Sequence, residues 1–268
     1  MLTGVMFRAA VLGNRDEGDA AHLVLEPDAE FEPAPGQFVH VRPAMTPGTD
    51  PLLRRPFSVS DWEADAGRMH LIIRPVGRVS QQLAQMTPGD VLDCIGPLGR
   101  GFPLPADAGG RAILIAGGVG AAPMIFLARQ LCAAGCAPRV FLGARTRDQL
   151  IGSDLLEATG ASVHISTDDG SAGDRGPVTG AVSRHLREEG ESDVVYACGP
   201  RPMLAEVARL FPTADAYGSF EEFMACGVGA CRGCSIALMD TGCRVRYARV
   251  CRDGPIFPLW EVHFGCPT

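Results

Sequence analysis

The sequence predicts a β plus α/β fold in three parts: an N-terminal antiparallel barrel, a doubly wound α/β domain and a small cysteine-bearing C-terminal domain. Three observations predict it. Residues 1–103 carry short apolar runs broken by proline and glycine. Residues 104–215 alternate strand-like apolar runs with helical stretches. Residues 216–268 hold Cys226, Cys231 and Cys234 in a C-x4-C-x2-C pattern, and after sixteen further residues Cys251.

In the first part the apolar runs are His22–Glu26, Gln37–Arg42, Phe57–Ser60, Met69–Arg74 and Val91–Ile95. Turn signals fall at Pro35-Gly36, Pro47-Gly48, Pro88-Gly89 and Gly96-Pro97. Short strands at this spacing suit a small antiparallel barrel. One helix is expected at Ser80–Met86, with Ser80 as its N-cap.

The pattern changes at Arg111. Ala112–Ala116 is a continuous apolar run, the signature of a strand covered on both faces. It ends in Gly117-Gly118-Val119-Gly120-Ala121-Ala122-Pro123 and a helical stretch, Met124–Ala134. Strand, glycine turn and helix open a nucleotide-binding βαβ unit. Strands are expected at Arg139–Gly143, Ser162–Thr167 and Val194–Cys198, and helices at Asp148–Glu157, Val178–Glu189 and Met203–Phe211. Cys198-Gly199-Pro200 therefore sits at the carboxyl end of a strand, where such folds bind ligands. Asp168 to Ser171 follow another strand and are read equally as a cofactor border or a solvated acidic turn. Arg145 and Arg147 would suit a 2′-phosphate.

The four cysteines match a plant-type [2Fe–2S] site, in which a tight loop supplies three thiolates and a later segment the fourth. Zinc prefers two Cys-x2-Cys pairs, which the x4 gap does not offer. Cys243 is a rival for the fourth position. Cys251 is preferred because Arg252-Asp253-Gly254-Pro255 provides a turn behind it.

Composition narrows the class. Net charge is −7, which speaks against nucleic acid or an anionic membrane as a general partner. The 24 basic residues are all arginine, so no lysine serves as a Schiff base or phosphate ligand. The N-terminus shows no export signal, since Arg8 interrupts its apolar residues, and no stretch approaches a membrane span. The ten cysteines are therefore read as reduced or metal-bound thiols of a cytoplasmic protein.

Arg55-Pro56-Phe57-Ser58 resembles the flavin-binding strand of the ferredoxin-reductase family. The resemblance implies that Arg55 meets the FAD pyrophosphate, that Phe57, beside Pro56 on the FAD-binding strand, covers the ring system and that Ser58 approaches N5. Ile72-Ile73-Arg74 and Gly77-Arg78-Val79-Ser80 resemble the same family's strand and helix start that hold the rest of FAD. Many members have glycine where this chain has Val79. Gly117–Gly120 and Cys198–Met203 resemble its pyridine-nucleotide motifs. They imply Gly117, Gly118, Val119 and Gly120 at the NAD pyrophosphate, and Cys198, Gly199 and Pro200 near the nicotinamide.

Taken over nearly the whole chain, and most specifically at Met224–Cys234, the sequence is similar to the electron-transfer subunits of bacterial NAD-linked dihydroorotate dehydrogenases. That resemblance implies FAD, NAD and one cluster held by Cys226, Cys231, Cys234 and Cys251. It also implies an FMN-containing catalytic partner, in a heterotetramer of two subunits of each kind, within pyrimidine biosynthesis. A diaphorase subunit serving ferredoxin:NADP, sulfide or hydrogen chemistry shares the same motifs. A flavin-free redox sensor that keeps only the cluster is the other alternative, which a visible spectrum separates. The apolar segment Pro255–Trp260 is read either as part of the partner interface or as packing on its own domain.

Overall fold

The computed structural model describes residues 4–44, 52–105, 110–190, 194–212, 215–240, 242 and 244–265. Cys243, Cys266 and the Pro47-Gly48 turn signal lie outside these residues. Among the described residues, no helix is long and apolar enough to cross a membrane.

Six strands close an antiparallel barrel: β1 (Val5–Glu17), β2 (Ala20–Pro27), β3 (Phe38–Pro43), β4 (Arg55–Glu63), β5 (Arg68–Ile73) and β6 (Val91–Leu98). Their order is β1-β2-β5-β4-β3-β6, closed by β6 on β1. Alternate residues fill the interior: Phe7, Ala9 and Val11 from β1, Val39 and Val41 from β3, Leu71 and Ile73 from β5. The other face of β3 therefore presents Phe38 and His40 outward.

Helix α1 spans Arg78–Ala84 and is capped by Gly77. The expected cap, Ser80, is instead its third residue. The Ser80 hydroxyl accepts the N–H groups of Val76 and Gly77 and donates to the Gly77 carbonyl. A hydroxyl at this position ties down the turn before the helix, so the helix begins two residues earlier than expected.

The middle of the chain builds a seven-stranded sheet. Its strands are β7 (Ala112–Gly117), β8 (Arg139–Ala144), β9 (Ser162–Thr167), β10 (Asp174–Arg175), β11 (Val194–Cys198), β12 (Asp215–Ser219) and, from the last part of the chain, β15 (Ile256–Pro258). The order is β10-β9-β8-β7-β11-β12-β15. The first six are parallel, and β15 joins β12 antiparallel. The expected division after residue 215 falls at the first residue of β12.

Helices α2 (Ala121–Ala133), α4 (Val178–Glu189) and α5 (Arg201–Leu210) flank the sheet. The helix expected at Asp148–Glu157 is broken: a single 3-10 turn covers Arg147–Gln149, and α3 covers only Ser153–Glu157. Gly152 adopts φ 72° between them, a left-handed residue that an α-helix cannot absorb.

The last part adds a hairpin, β13 (Ser235–Met239) with β14 (Val245–Arg249), and the short helix α6 (Val250–Asp253). Cys251 thus sits on a helical turn rather than on a strand. The segment Pro255–Trp260 packs mostly on its own chain: Ile256, Phe257 and Leu259 are buried, and Trp260 alone is well exposed, at 59 %. Buried Cys234, Ile236, Val250, Cys251, Phe257 and Leu259 share one apolar core with Phe38 and Leu98 of the barrel and Val195 and Ala197 of the sheet. The three parts are thereby fused rather than strung together.

Candidate functional site

At the carboxyl ends of β7 and β11 lies a cavity of about 560 Å³. Gly117, Gly118, Val119, Gly120, Gly199 and Pro200 line it, as do Arg145 and Asp168. The glycines have a steric cause. A Cβ on Gly120 would stand 2.2 Å from the carbonyl oxygen of Cys198, so only glycine lets the first turn of α2 approach β11. Cys198 itself does not line the cavity. It is buried, and burial pushes its thiol pKa well above the ordinary range. Arg147 is committed elsewhere, because its guanidinium donates twice to the Ser171 carbonyl at 3.0 and 2.9 Å.

A second cavity, of about 480 Å³, lies against the barrel. Pro56, Phe57, Ser58, Ile72 and Arg74 line it. Arg55 does not: it is exposed, and donates to the carbonyls of Leu53 and Arg54 at its own end of β4. Ile73 and Val79 belong to the barrel core, and Ser80 is buried in the turn before α1.

The two cavities share Arg74, Val119, Phe220, Glu221 and Glu222. Ligands in both would meet there. Arg74 is held by an ion pair to Asp19 at 2.6 Å. Glu221 is reachable by water within the open cavity but crowded by protein on most sides, and this desolvation raises its pKa.

Three residues after Glu222 and Phe223 the cysteine loop begins. The thiols of Cys226 and Cys231 interact with each other, as do those of Cys234 and Cys251, and Cys226 lies within electrostatic range of Cys251. The N–H of Cys231 donates to Cys226 Sγ at 3.4 Å, and that of Gly233 to Cys231 Sγ at 3.4 Å. Burial pushes the Cys226 thiol up, but the N–H groups of Cys231, Val228 and Ala230 outweigh it and bring its pKa down to about 7. Cys251 is pushed up to about 12 by burial and by the neighbouring Cys234. Among the described residues no three such side chains converge as a single metal ion would need, but two neighbouring thiol pairs set among N–H donors fit a two-iron cluster, whose sulfurs need such donors and whose metal would hold the thiols ionised.

Sequence reading missed Glu221, Glu222, Phe220 and Phe223. They carry no motif. The only signal was position, at the carboxyl end of a parallel strand that was itself not expected.

A barrel cavity, a nucleotide cavity and a thiol cluster in one chain define a pyridine-nucleotide-linked flavin and iron–sulfur oxidoreductase. The comparisons agree. Residues 19–102 match the oxidoreductase FAD-binding domain, and residues 114–209 the oxidoreductase NAD-binding domain. Residues 221–263 match the iron–sulfur cluster binding domain of dihydroorotate dehydrogenase B. The chain is 45% identical over 230 residues to the dihydroorotate dehydrogenase B (NAD(+)) electron transfer subunit of Bacillus caldolyticus, covering 85% of this chain and 86% of that one. With the same subunit of Desulforamulus reducens the identity is 41% over 238 residues, covering 88% and 89%. Among solved structures, an NADH-dependent reduced ferredoxin-NADP oxidoreductase aligns with TM-score 0.82 at 29% identity, over 96% of this chain and 90% of that chain. The chain belongs to the family of dihydroorotate dehydrogenase B (NAD(+)) electron transfer subunits.

Proposed function

We propose that this chain carries electrons between a partner FMN-containing dihydroorotate dehydrogenase subunit and NAD⁺, through one [2Fe–2S] cluster and one FAD, in the cytoplasm. A flavin exchanges electrons both singly and in pairs, so it joins a hydride carrier to a one-electron cluster. Cys226, Cys231, Cys234 and Cys251 hold the cluster in this reading. Pro56, Phe57, Ser58, Ile72 and Arg74 form the flavin wall, with Arg55 exchanging its bonds to the Leu53 and Arg54 carbonyls for the pyrophosphate and with Ile73, Val79 and Ser80 as its support. Gly117, Gly118, Val119, Gly120, Gly199 and Pro200 cradle NAD, with Cys198 behind them.

The observation that carries this reading is the shared wall of the two cavities. It allows nicotinamide and flavin to face each other beside Glu221, while the chain runs directly from that wall into the cysteine loop. Arg145 and Asp168 both line the nucleotide cavity and pull opposite ways on a 2′-phosphate, so the preference for NAD rests on the names of the relatives. The names of the relatives support the dihydroorotate-oxidising partner, and the heterotetramer of two subunits of each kind is part of the same proposal.

Anaerobic purification tests it. The expected product holds FAD, with iron and acid-labile sulfide in the ratio of a [2Fe–2S] cluster, and reduces an artificial dye with NADH. Absence of flavin, with iron present, would support a cluster sensor instead. The structural likeness to a ferredoxin-NADP oxidoreductase keeps one second reading open, in which the partner carries ferredoxin chemistry. Identification of the co-purifying subunit separates the two.

A further inference from the structure

His40 lies where the barrel meets the cysteine loop. It stands on β3, opposite Pro56 of the flavin wall on one side and Ile95 of β6 on the other. Its ring is 5.9 Å from that of Phe38, which lines the barrel cavity. His40 itself does not line that cavity. What covers it is Gly227, the residue after Cys226. A Cβ on Gly227 would stand 2.8 Å from Cε1 and from Nδ1 of the imidazole, so the loop main chain rests on the ring. Gly227 adopts φ +69°, a conformation suited to glycine, and the contact leaves no room for a side chain.

The imidazole is 1 % exposed, and among the described residues its Nε2 has no hydrogen-bond partner. A buried ring nitrogen ordinarily finds a partner, and an orphan calls for a group that the polypeptide does not supply. The loop meets the Cε1, Nδ1 and Cγ side of the ring, and the orphan Nε2 adjoins Cε1. Burial, reinforced by the positive charges of Arg54 and Arg55, lowers the His40 pKa to about 4. A neutral imidazole carries one N–H, on either ring nitrogen, and can therefore donate through Nε2.

We propose that His40 is a positioning residue for the cluster: it seats the Cys226 end of the loop against the flavin wall and directs its Nε2–H toward a cluster sulfur. Donors to cluster sulfurs stabilise the reduced state, which carries more negative charge, and so raise the reduction potential. One side chain would thus set both the distance from flavin to cluster and the ease with which the cluster accepts an electron. The inference rests on the proposed ligand role of Cys226.

The test is an EPR-monitored redox titration of the holoprotein and of His40→Phe and His40→Gln, after FAD, iron and sulfide have been measured in each. The phenyl ring keeps the seat and removes the N–H. The expected result is wild-type cofactor content with a lower cluster potential, by at least a tenfold change in the reduction equilibrium, which is 59 mV for a one-electron couple. Glutamine keeps a donor and should stay within about threefold of wild type. A His40→Phe variant that titrates like wild type overturns the proposal. So does loss of the cluster from both variants, which would make His40 packing alone. Wild-type protein without iron would instead overturn the proposed function itself.

Discussion

The main-chain N–H of Cys251 donates to the thiol sulfur of Cys234 at 3.5 Å, closing a sixteen-residue excursion through β13 and β14. Both residues are buried, at 2 % and 1 % exposure. The hairpin therefore brings the fourth cysteine back to the third. Replacing Cys226, Cys231, Cys234 or Cys251 by serine is expected to abolish iron and labile sulfide in each case. Cys243→Ser is expected to retain both. An essential Cys243 with a dispensable Cys251 would reassign the fourth ligand.

Gly120→Ala places a methyl group against the carbonyl of Cys198, at a distance no pair of atoms tolerates. The turn must shift away from β11, and the nucleotide cavity shifts with it. FAD content should be unchanged, while KM for NADH in dye reduction rises tenfold or more, the equivalent of about 1.4 kcal/mol. Unaltered KM would remove the glycine turn from nucleotide binding.

Arg129 of α2 pairs with Asp61 of β4 through two donor nitrogens, at 2.7 to 3.0 Å, and so clamps the nucleotide domain to the barrel. Arg129 is half-exposed, which limits the strength of the pair. A double-mutant cycle with Arg129→Ala and Asp61→Ala, read by denaturant unfolding, should give a coupling of about 1 kcal/mol. A coupling near zero would leave apolar packing as the whole of that contact.

Acid should destabilise the apoprotein chiefly through buried histidines. The pKa of His22 is lowered to about 4 by burial and by the neighbouring His70 and Arg15, and that of His40 to about 4 by burial, Arg54 and Arg55. Both folded-state values lie below the unfolded value of about 6.5. Between these limits the unfolded chain binds more protons, so stability falls as pH drops from about 6.5 to 4. Each histidine contributes roughly 3 kcal/mol to that loss. Denaturation midpoints measured from pH 7 to 4 should fall steadily, and less steeply in His22→Gln. A flat profile would contradict the buried, neutral state.

Legibility in the sequence followed the strength of the local constraint. A close βα turn demands glycine, so the turn at Gly117 to Gly120 could be read directly, and the spacing of Cys226, Cys231, Cys234 and Cys251 marked the cysteines that the fold gathers. Strand β1 was missed because Arg8 and two alanines blur its alternation, although Phe7, Ala9 and Val11 all face the barrel interior. Gly152 broke an expected helix through a left-handed backbone that spacing cannot reveal. Ser80 looked like a cap, but its hydroxyl serves the preceding turn. Glu221 and His40 were invisible for another reason. Each is singled out by what folds against it, Arg74 and Val119 across the cavity wall in one case and Gly227 in the other, and these neighbours are distant in sequence.

Electron delivery from dihydroorotate is the central claim, and the most direct measurement is anaerobic formation of NADH from dihydroorotate and NAD⁺. It should be made with this chain alone and with the chain co-purified with the proposed FMN-containing partner. The chain alone is expected to form no NADH from dihydroorotate, although it reduces an artificial dye when NADH is supplied. The complex is expected to form NADH in step with dihydroorotate consumed. A complex that oxidises dihydroorotate with a dye but forms no NADH would contradict the account, as would a lone chain that oxidises dihydroorotate unaided.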